Sequence, residues 1–180
     1  TTSYVDADYY VTEESTVPKW QGGFGTKVRF YGFDLSVNCT YQLGGKTLDA
    51  SYASFMASPS SSLGGRNFHK DLLDAWTPEN TTSSIPRFQY GDLYSSGTST
   101  RFLTSSSYLN INNINFGYTF PTSITKKLML NSLRLYVACE NVVYFSARKG
   151  FDPRLSYSSA SNSTTYSPMR TISGGLTVQF

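Results

Sequence analysis

The sequence predicts an all-β chain: about five strands of an antiparallel transmembrane β-barrel, joined by long loops. Three observations predict it. Apolar and polar residues alternate over long runs, in one case eleven residues without a break. The composition suits pleated surfaces, with 14 Tyr, 12 Phe, 27 Ser and 20 Thr among 180 residues and only 15% charged. Long polar loops alternate along the chain with short turns.

The strand expected at about 33–43 is the clearest. Phe33, Leu35, Val37, Cys39, Tyr41 and Leu43 alternate with Asp34, Ser36, Asn38, Thr40 and Gln42, so one face is apolar and the other polar. At about 19–31, Trp20, Gly22, Phe24, Thr26, Val28 and Phe30 alternate with Gln21, Gly23, Gly25, Lys27 and Arg29. Tyr31-Gly32 between the two runs reads as a tight hairpin turn.

The third strand is expected at about 107–120 and changes phase. Leu109 and Ile111 are odd, whereas Ile114, Phe116, Tyr118 and Phe120 are even. A one-residue slip would turn half the side chains to the wrong face, so a β-bulge is expected near Asn112-Asn113. The fourth, at about 132–146, sets Leu133, Leu135, Val137, Cys139, Val143 and Phe145 against Arg134, Tyr136, Ala138, Glu140 and Tyr144. The fifth, at about 170–180, sets Ile172, Leu176, Val178 and Phe180 against Thr171, Ser173, Thr177 and Gln179.

Between them lie loops at about 1–18, 44–106 and 147–168, and short turns at 31–32 and roughly 121–131. His69–Ala75 is the only helix-like stretch expected in the long loop, with Pro78 stopping it. A connection this long is functional when ordered.

Strand length separates two kinds of two-faced sheet. Strands of soluble sandwiches run to about 5–6 residues and bury their apolar face on a second sheet. A transmembrane strand needs about 9–11 tilted residues, apolar toward lipid and polar toward a lumen. Trp20, Tyr31, Phe33, Tyr41, Tyr108, Phe120, Tyr144 and Phe145 near the strand ends suit interfacial girdles. If the long loops are extracellular, the last strand runs inward and Phe180 ends on the periplasmic side. Five strands cannot close, and an open edge in lipid leaves amides unpaired, so the remaining strands are expected elsewhere. The opening Thr1-Thr2-Ser3-Tyr4 likewise reads as a processed start or as interior sequence of something longer.

Other classes fit poorly. No run of about 18 apolar residues exists to form a membrane helix. Net charge is +3, too weak for a committed nucleic-acid binder, and no nucleic-acid partner is expected. One histidine, His69, leaves little for triads or metal clusters, so neither an enzyme nor a cofactor is expected. Asp71, Asp74 and Glu79 read as charges at a helix end rather than a cation site. Cys39 and Cys139 each lie in a strand and read as small apolar side chains. The Gly22–Lys27 run lacks the spacing of a phosphate loop.

Several stretches resemble one known family in that family's order. They are Pro18–Phe24 (PKWQGGF), Asp74–Asn80 (DAWTPEN) followed by Ile85–Arg87, Tyr108–Pro121 (YLNINNINFGYTFP) and Leu133–Asn141 (LRLYVACEN). Gly150–Pro153 (GFDP), Pro168–Arg170 and the closing Gly175–Phe180 (GLTVQF) continue the series, although Arg154 stands where the family usually has Glu. Together they resemble SusC-like TonB-dependent outer-membrane transporters over residues 18–180.

The resemblance implies the rest. Such proteins are barrels of about 22 strands, so these would be the last five. It implies an N-terminal plug and a TonB-contacting segment outside this chain, and the outer membrane of a Gram-negative bacterium as location. It implies active import of oligosaccharides or peptides under a SusD-like lipoprotein lid, with TonB, outer-membrane lipid, the outer-membrane assembly machinery and the rest of the barrel and plug as partners.

Site residues follow, each beside a plainer role. Asp74, Trp76, Pro78, Glu79, Asn80 and Arg87 form the loop signature that meets lid or substrate, or a structural loop. Tyr90, Tyr94, Tyr157 and Tyr166 sit in the extracellular loops, where aromatic faces stack on sugars or peptide side chains; exposed loop tyrosines are also ordinary. Lys27, Arg29, Arg134 and Glu140 fall on the lumen face, toward the plug or toward solvent and one another. Leu176, Val178 and Phe180 resemble the C-terminal signal read during outer-membrane assembly, or are an ordinary final strand. Two other readings stay open: a soluble β-sandwich module for carbohydrate binding or adhesion, and a passive porin. Neither substrate identity nor oligomeric state is legible.

Overall fold

The computed structural model describes residues 13–60, 65–92, 94–95, 97–154, 161–162 and 168–180. The elements in chain order are β1 (Trp20–Phe30), β2 (Phe33–Leu43), β3 (Lys46–Asp49), α1 (Ala50–Phe55), β4 (Leu103–Ser105) and β5 (Tyr108–Thr119). They continue with α2 (Thr122–Thr125), β6 (Ser132–Ser146), β7 (Ser161–Asn162) and β8 (Thr171–Gln179). Contacts divide the chain into two units. One is a long sheet built from Val17–Gly45, Ser105–Arg154 and Tyr166–Phe180; the other comprises Thr1–Thr16, Lys46–Thr104 and Leu155–Thr165.

The long sheet has the order β1-β2-β5-β6-β8, every neighbour antiparallel. Its five strands lie on the five alternating runs. Register confirms that the runs share faces. Phe24 stands opposite Cys39, Val28 opposite Leu35, Leu35 opposite Phe116, Phe116 opposite Val137, and Leu135 opposite Leu176. On the other face Lys27 stands opposite Ser36, Asn38 opposite Asn113, Asn115 opposite Ala138, and Arg134 opposite Thr177.

Among the described residues, most large side chains of the apolar face are exposed. Phe24 is 59% exposed, Val137 51% and Leu176 58%. A soluble sandwich would bury these groups against a second sheet. β1 and β8 are the two edges, so the sheet does not close on itself.

The bulge falls where the phase change requires it. The β2–β5 register shifts between Asn38 and Cys39, and the β5–β6 register between Ile111 and Asn113, leaving Asn112 as the extra residue. β6 answers with Asn141, whose φ of 50° lies in the left-handed region. Thr40 Oγ1 donates to Asn112 Oδ1 at 3.0 Å and Asn110 Nδ2 donates to the same oxygen, which fixes the bulged side chain on the polar face. The hairpin between β1 and β2 turns at Tyr31 (φ 45°) and Gly32 (φ 86°). Two successive positive φ values are those of a type I′ turn, whose twist matches its strands.

The second unit corrects one expectation. The stretch 44–106 is not a loop with a single helical turn at 69–75. It carries β3, β4 and α1, and the 69–75 stretch is a short 3₁₀ turn over Lys70–Asp74. The six-residue α1 is too short to show a helical period; Asp49 starts it, its Oδ1 accepting from Tyr52 N at 2.8 Å. His69 has an equally local role, its Nδ1 accepting from Asp71 N at 3.2 Å. Phe102 and Met56 are the buried anchors of this unit, with Tyr52 edge-on to Phe102. A small sheet of order β4-β3-β7 completes it, β3 and β7 running parallel.

Candidate functional site

Two groups of candidate residues acquire a defined geometry. The first is on the polar face, near the Tyr31-Gly32 turn. Asp34 faces Arg29 across the β1–β2 pair and Gly117 across the β2–β5 pair. Arg134 reaches over β5 from β6. Its Nε donates to Asp34 Oδ1 at 3.1 Å and its Nη2 to Oδ2 at 2.6 Å. The guanidinium also lies 5.3 Å from the centre of the Tyr136 ring. This two-pronged arrangement is the geometry an Arg fork makes with a carboxylate. It needs Gly117, because a Cβ there would collide with the guanidinium and lie 2.8 Å from Asp34 Oδ1. Lys27, Arg29, Asp34, Thr119 and Arg134 line a recess of about 680 Å³. Glu140 lies on the same face farther along β6, opposite Asn113 and Thr171, and does not join the recess.

The second group is the loop 74–87. Trp76 N donates to Ile85 O at 2.9 Å, and Asn80 N to Thr77 O at 3.0 Å and Thr77 Oγ1 at 3.1 Å. Asn80 Nδ2 donates to Asp74 O at 3.3 Å, and the Ser83 hydroxyl donates to the same carbonyl. The loop is thus closed by its own backbone, while Asp74, Trp76, Pro78 and Glu79 are exposed. Arg87 follows outside this closure and hydrogen-bonds Gln89. Asp71 accepts from the Tyr52 hydroxyl at 2.8 Å and so is occupied locally.

Tyr90 and Tyr94 are 68% and 57% exposed. An Asx turn holds the second of them, Asp92 Oδ1 accepting from Tyr94 N at 2.9 Å and Ser95 N at 3.2 Å. Tyr157 and Tyr166 lie outside the described residues.

Comparison with known proteins points one way. No family model matches the chain. It is 27% identical over 173 residues to TonB-dependent receptor P3 of Formosa agariphila, covering 91% of this chain and 16% of that protein. It is 26% identical over 145 residues to TonB-dependent receptor P39 of the same organism, covering 74% of this chain and 13% of that protein. The chain resembles the TonB-dependent receptors. Fold agrees: a chain in a structure of the RagAB peptide transporter superposes with a TM-score of 0.76 at 22% identity, over 94% of this chain and 18% of that one. A closed-closed state of the RagAB peptide importer gives 0.77 at 23%, with the same coverage. The chain therefore has the fold of a length of TonB-dependent transporter wall, and it spans about a sixth of the length of TonB-dependent receptor P3.

Sequence reasoning placed Lys27, Arg29 and Arg134 on one polar face, and the structure brings those three together. It missed Asp34 and Gly117. The signal for Asp34 was present, since it is the only charged residue in the run 33–43. Gly117 carried none, because a strand glycine states nothing about what crosses it. In the loop following β6, Arg154 Nε donates to Asp152 Oδ1 at 2.8 Å and Oδ2 at 3.0 Å. These bonds raise the Arg154 pKa further above its ordinary value. The residue that departs from the family pattern therefore has a partner two positions away.

Proposed function

We propose that this chain is part of the barrel wall of an outer-membrane TonB-dependent transporter of a Gram-negative bacterium. The whole protein would import oligosaccharides or peptides under a SusD-like lipoprotein lid. One observation carries the reading: a five-stranded sheet with a continuous uncovered apolar face and a continuous polar face. Eleven residues at about 3.3 Å each span about 36 Å, and a tilt of about 45° reduces that to the roughly 25 Å of an outer-membrane apolar band. The relatives named as TonB-dependent receptors, and the fold shared with a peptide transporter, support it.

In this reading the 31–32 and 121–131 turns face the periplasm, and 44–106 and 147–168 face outward. Tyr90 and Tyr94, with Tyr157 and Tyr166, contact substrate. Asp74, Trp76, Pro78, Glu79, Asn80 and Arg87 contact the lid. Lys27, Arg29, Arg134 and Glu140 face the lumen and plug. Leu176, Val178 and Phe180 form the assembly signal, with Phe180 at 87% exposure. The test is to express the full-length polypeptide and follow membrane fractionation, detergent requirement and heat-modifiable migration. A co-purifying SusD-like lipoprotein and its bound ligand would identify lid and substrate. A monomer soluble without detergent overturns the reading, and unchanged membrane yield on deleting Phe180 removes the signal.

A further inference from the structure

The connection from β5 to β6 stops its helical turns in a way that its sequence makes costly. α2 is followed by a 3₁₀ turn over Lys126–Leu128, and Met129 comes next with φ 54°. Met129 N donates to Lys126 O at 3.1 Å and Leu130 N to Thr125 O at 3.0 Å, the two bonds of a helix stop built on a left-handed residue. Glycine takes that conformation freely, whereas a methionine crowds its Cβ against the backbone. Internal packing gives nothing in return, because Met129 is 90% exposed. Ile124 and Leu128, four residues apart and so on one side of the turn, are 45% and 57% exposed. Lys126 and Lys127 lie between them in the chain, also exposed. Neither joins an ion pair among the described residues, and no Asp or Glu occurs from Phe120 to Leu133. The turn grows directly out of the apolar face. Phe120 N donates to Leu133 O at 2.9 Å at its base, and the Phe120 ring centre lies 5.0 Å from that of Tyr118, itself 4.5 Å from Phe33.

We propose that this turn docks on an anionic phospholipid surface, with Ile124, Leu128 and Met129 entering the acyl boundary and Lys126 and Lys127 taking the headgroup phosphate. The proposal rests on the transporter-wall reading, in which the apolar face meets hydrocarbon and this turn lies where that face ends. Two observations choose the occupant. Exposed apolar groups beside unpaired amines match a surface that is apolar below and negative above. The apolar face continues to the base of the turn, so a lipid touching that face also reaches the lysines. Met129 supplies what glycine could not, an apolar side chain held outward.

Native mass spectrometry of the full-length protein in detergent tests this, because it counts bound lipids singly. Phosphatidylglycerol and phosphatidylethanolamine with the same acyl chains are compared at equal concentration. The expected result is more phosphatidylglycerol bound. Lys126→Gln/Lys127→Gln should lower that binding several-fold and leave phosphatidylethanolamine unchanged, and Lys126→Arg/Lys127→Arg should keep it. Met129→Gly should also lower phosphatidylglycerol binding, while heat-modifiable migration melts no earlier, because glycine suits the backbone better. Equal binding of the two lipids overturns the proposal. So does phosphatidylglycerol binding insensitive to the glutamine pair or to Met129→Gly, or equal binding of glycerophosphoglycerol, the same headgroup without chains. If the glutamine pair fails to assemble, the lipid preference of the unmodified protein and the Met129→Gly variant still decide. Heat-modifiable migration is read first, so failure of the wall reading is recognised separately.

Discussion

Asp34 on β2 and Arg134 on β6 stand 100 residues apart in the chain and meet directly above Gly117 of β5. The pair ties two strands that are not neighbours, and it does so only because the strand between them offers no side chain at that point. Gly117→Ala should force the guanidinium and carboxylate apart and lower stability by about 1–3 kcal/mol, the usual cost of overpacking. In an Asp34→Asn/Arg134→Gln background the same alanine should cost markedly less. The melting of heat-modifiable migration in the full-length protein measures both, and equal losses in the two backgrounds would show that the ion pair is not what Gly117 accommodates.

The two faces should differ sharply toward charge at the same height. Val137 of β6 pairs with Gly174, and the next pair is Ala138 with Ser173, so Val137 and Ser173 lie one residue apart in height on opposite faces. Val137→Arg places a guanidinium among the apolar groups and should cost about 2–4 kcal/mol if that face meets the bilayer midplane. Ser173→Arg points to the polar side and should leave assembly near normal. Membrane-inserted yield separates the two; equal yields would mean that the apolar face does not meet hydrocarbon.

Asn112 is the extra residue that lets residues 108–111 and 113–119 of β5 keep their proper faces. Its deletion should turn Leu109 and Ile111 toward the polar side and abolish assembly. Asn112→Ala should be tolerated, losing the bond from Thr40. Wild-type yield of the deletion variant would show that the bulge does not set the register.

Asn80 closes the 74–85 loop through four hydrogen bonds, three with Thr77 and one from its side chain to the Asp74 carbonyl. Asn80→Ala removes the bond to the Asp74 carbonyl and should cost no more than about 1 kcal/mol. The backbone bond from Trp76 N to Ile85 O should then exchange its proton faster, while exchange in β1 and β2 stays unchanged. Exchange mass spectrometry reads this directly, and equal loss of protection in the strands would contradict the independence of the loop.

Much of the long sheet was legible because its signal is periodic. Every second residue of β2 shares an environment, so eleven residues state one fact repeatedly. The bulge was legible for the same reason, since Ile111 and Ile114 cannot both be in phase without an insertion. Elements resting on single contacts were not legible. α1 depends on the Asp49 cap, and β3 and β4 are too short to show alternation. The basic recess was half legible: parity put Lys27, Arg29 and Arg134 on one side, but the crossing by Arg134 depends on what Gly117 lacks. Tyr90 and Tyr94 were visible as loop tyrosines, whereas the Asx turn positioning Tyr94 depends on the conformation of Asp92.

The contrast between the connections has a kinetic consequence. Tyr31-Gly32 lets β1 and β2 zip from a contact three residues apart, on the roughly 1–10 μs scale of hairpins. Pairing β2 with β5 must first bring together groups such as Gln42 and Ser106, 64 residues apart. The ordering entropy of that closure is lost before any inter-strand bond repays it. The first hairpin is therefore available as an early template, and insertions or deletions within 46–104 should alter how fast the sheet grows beyond it far more than what the finished sheet looks like.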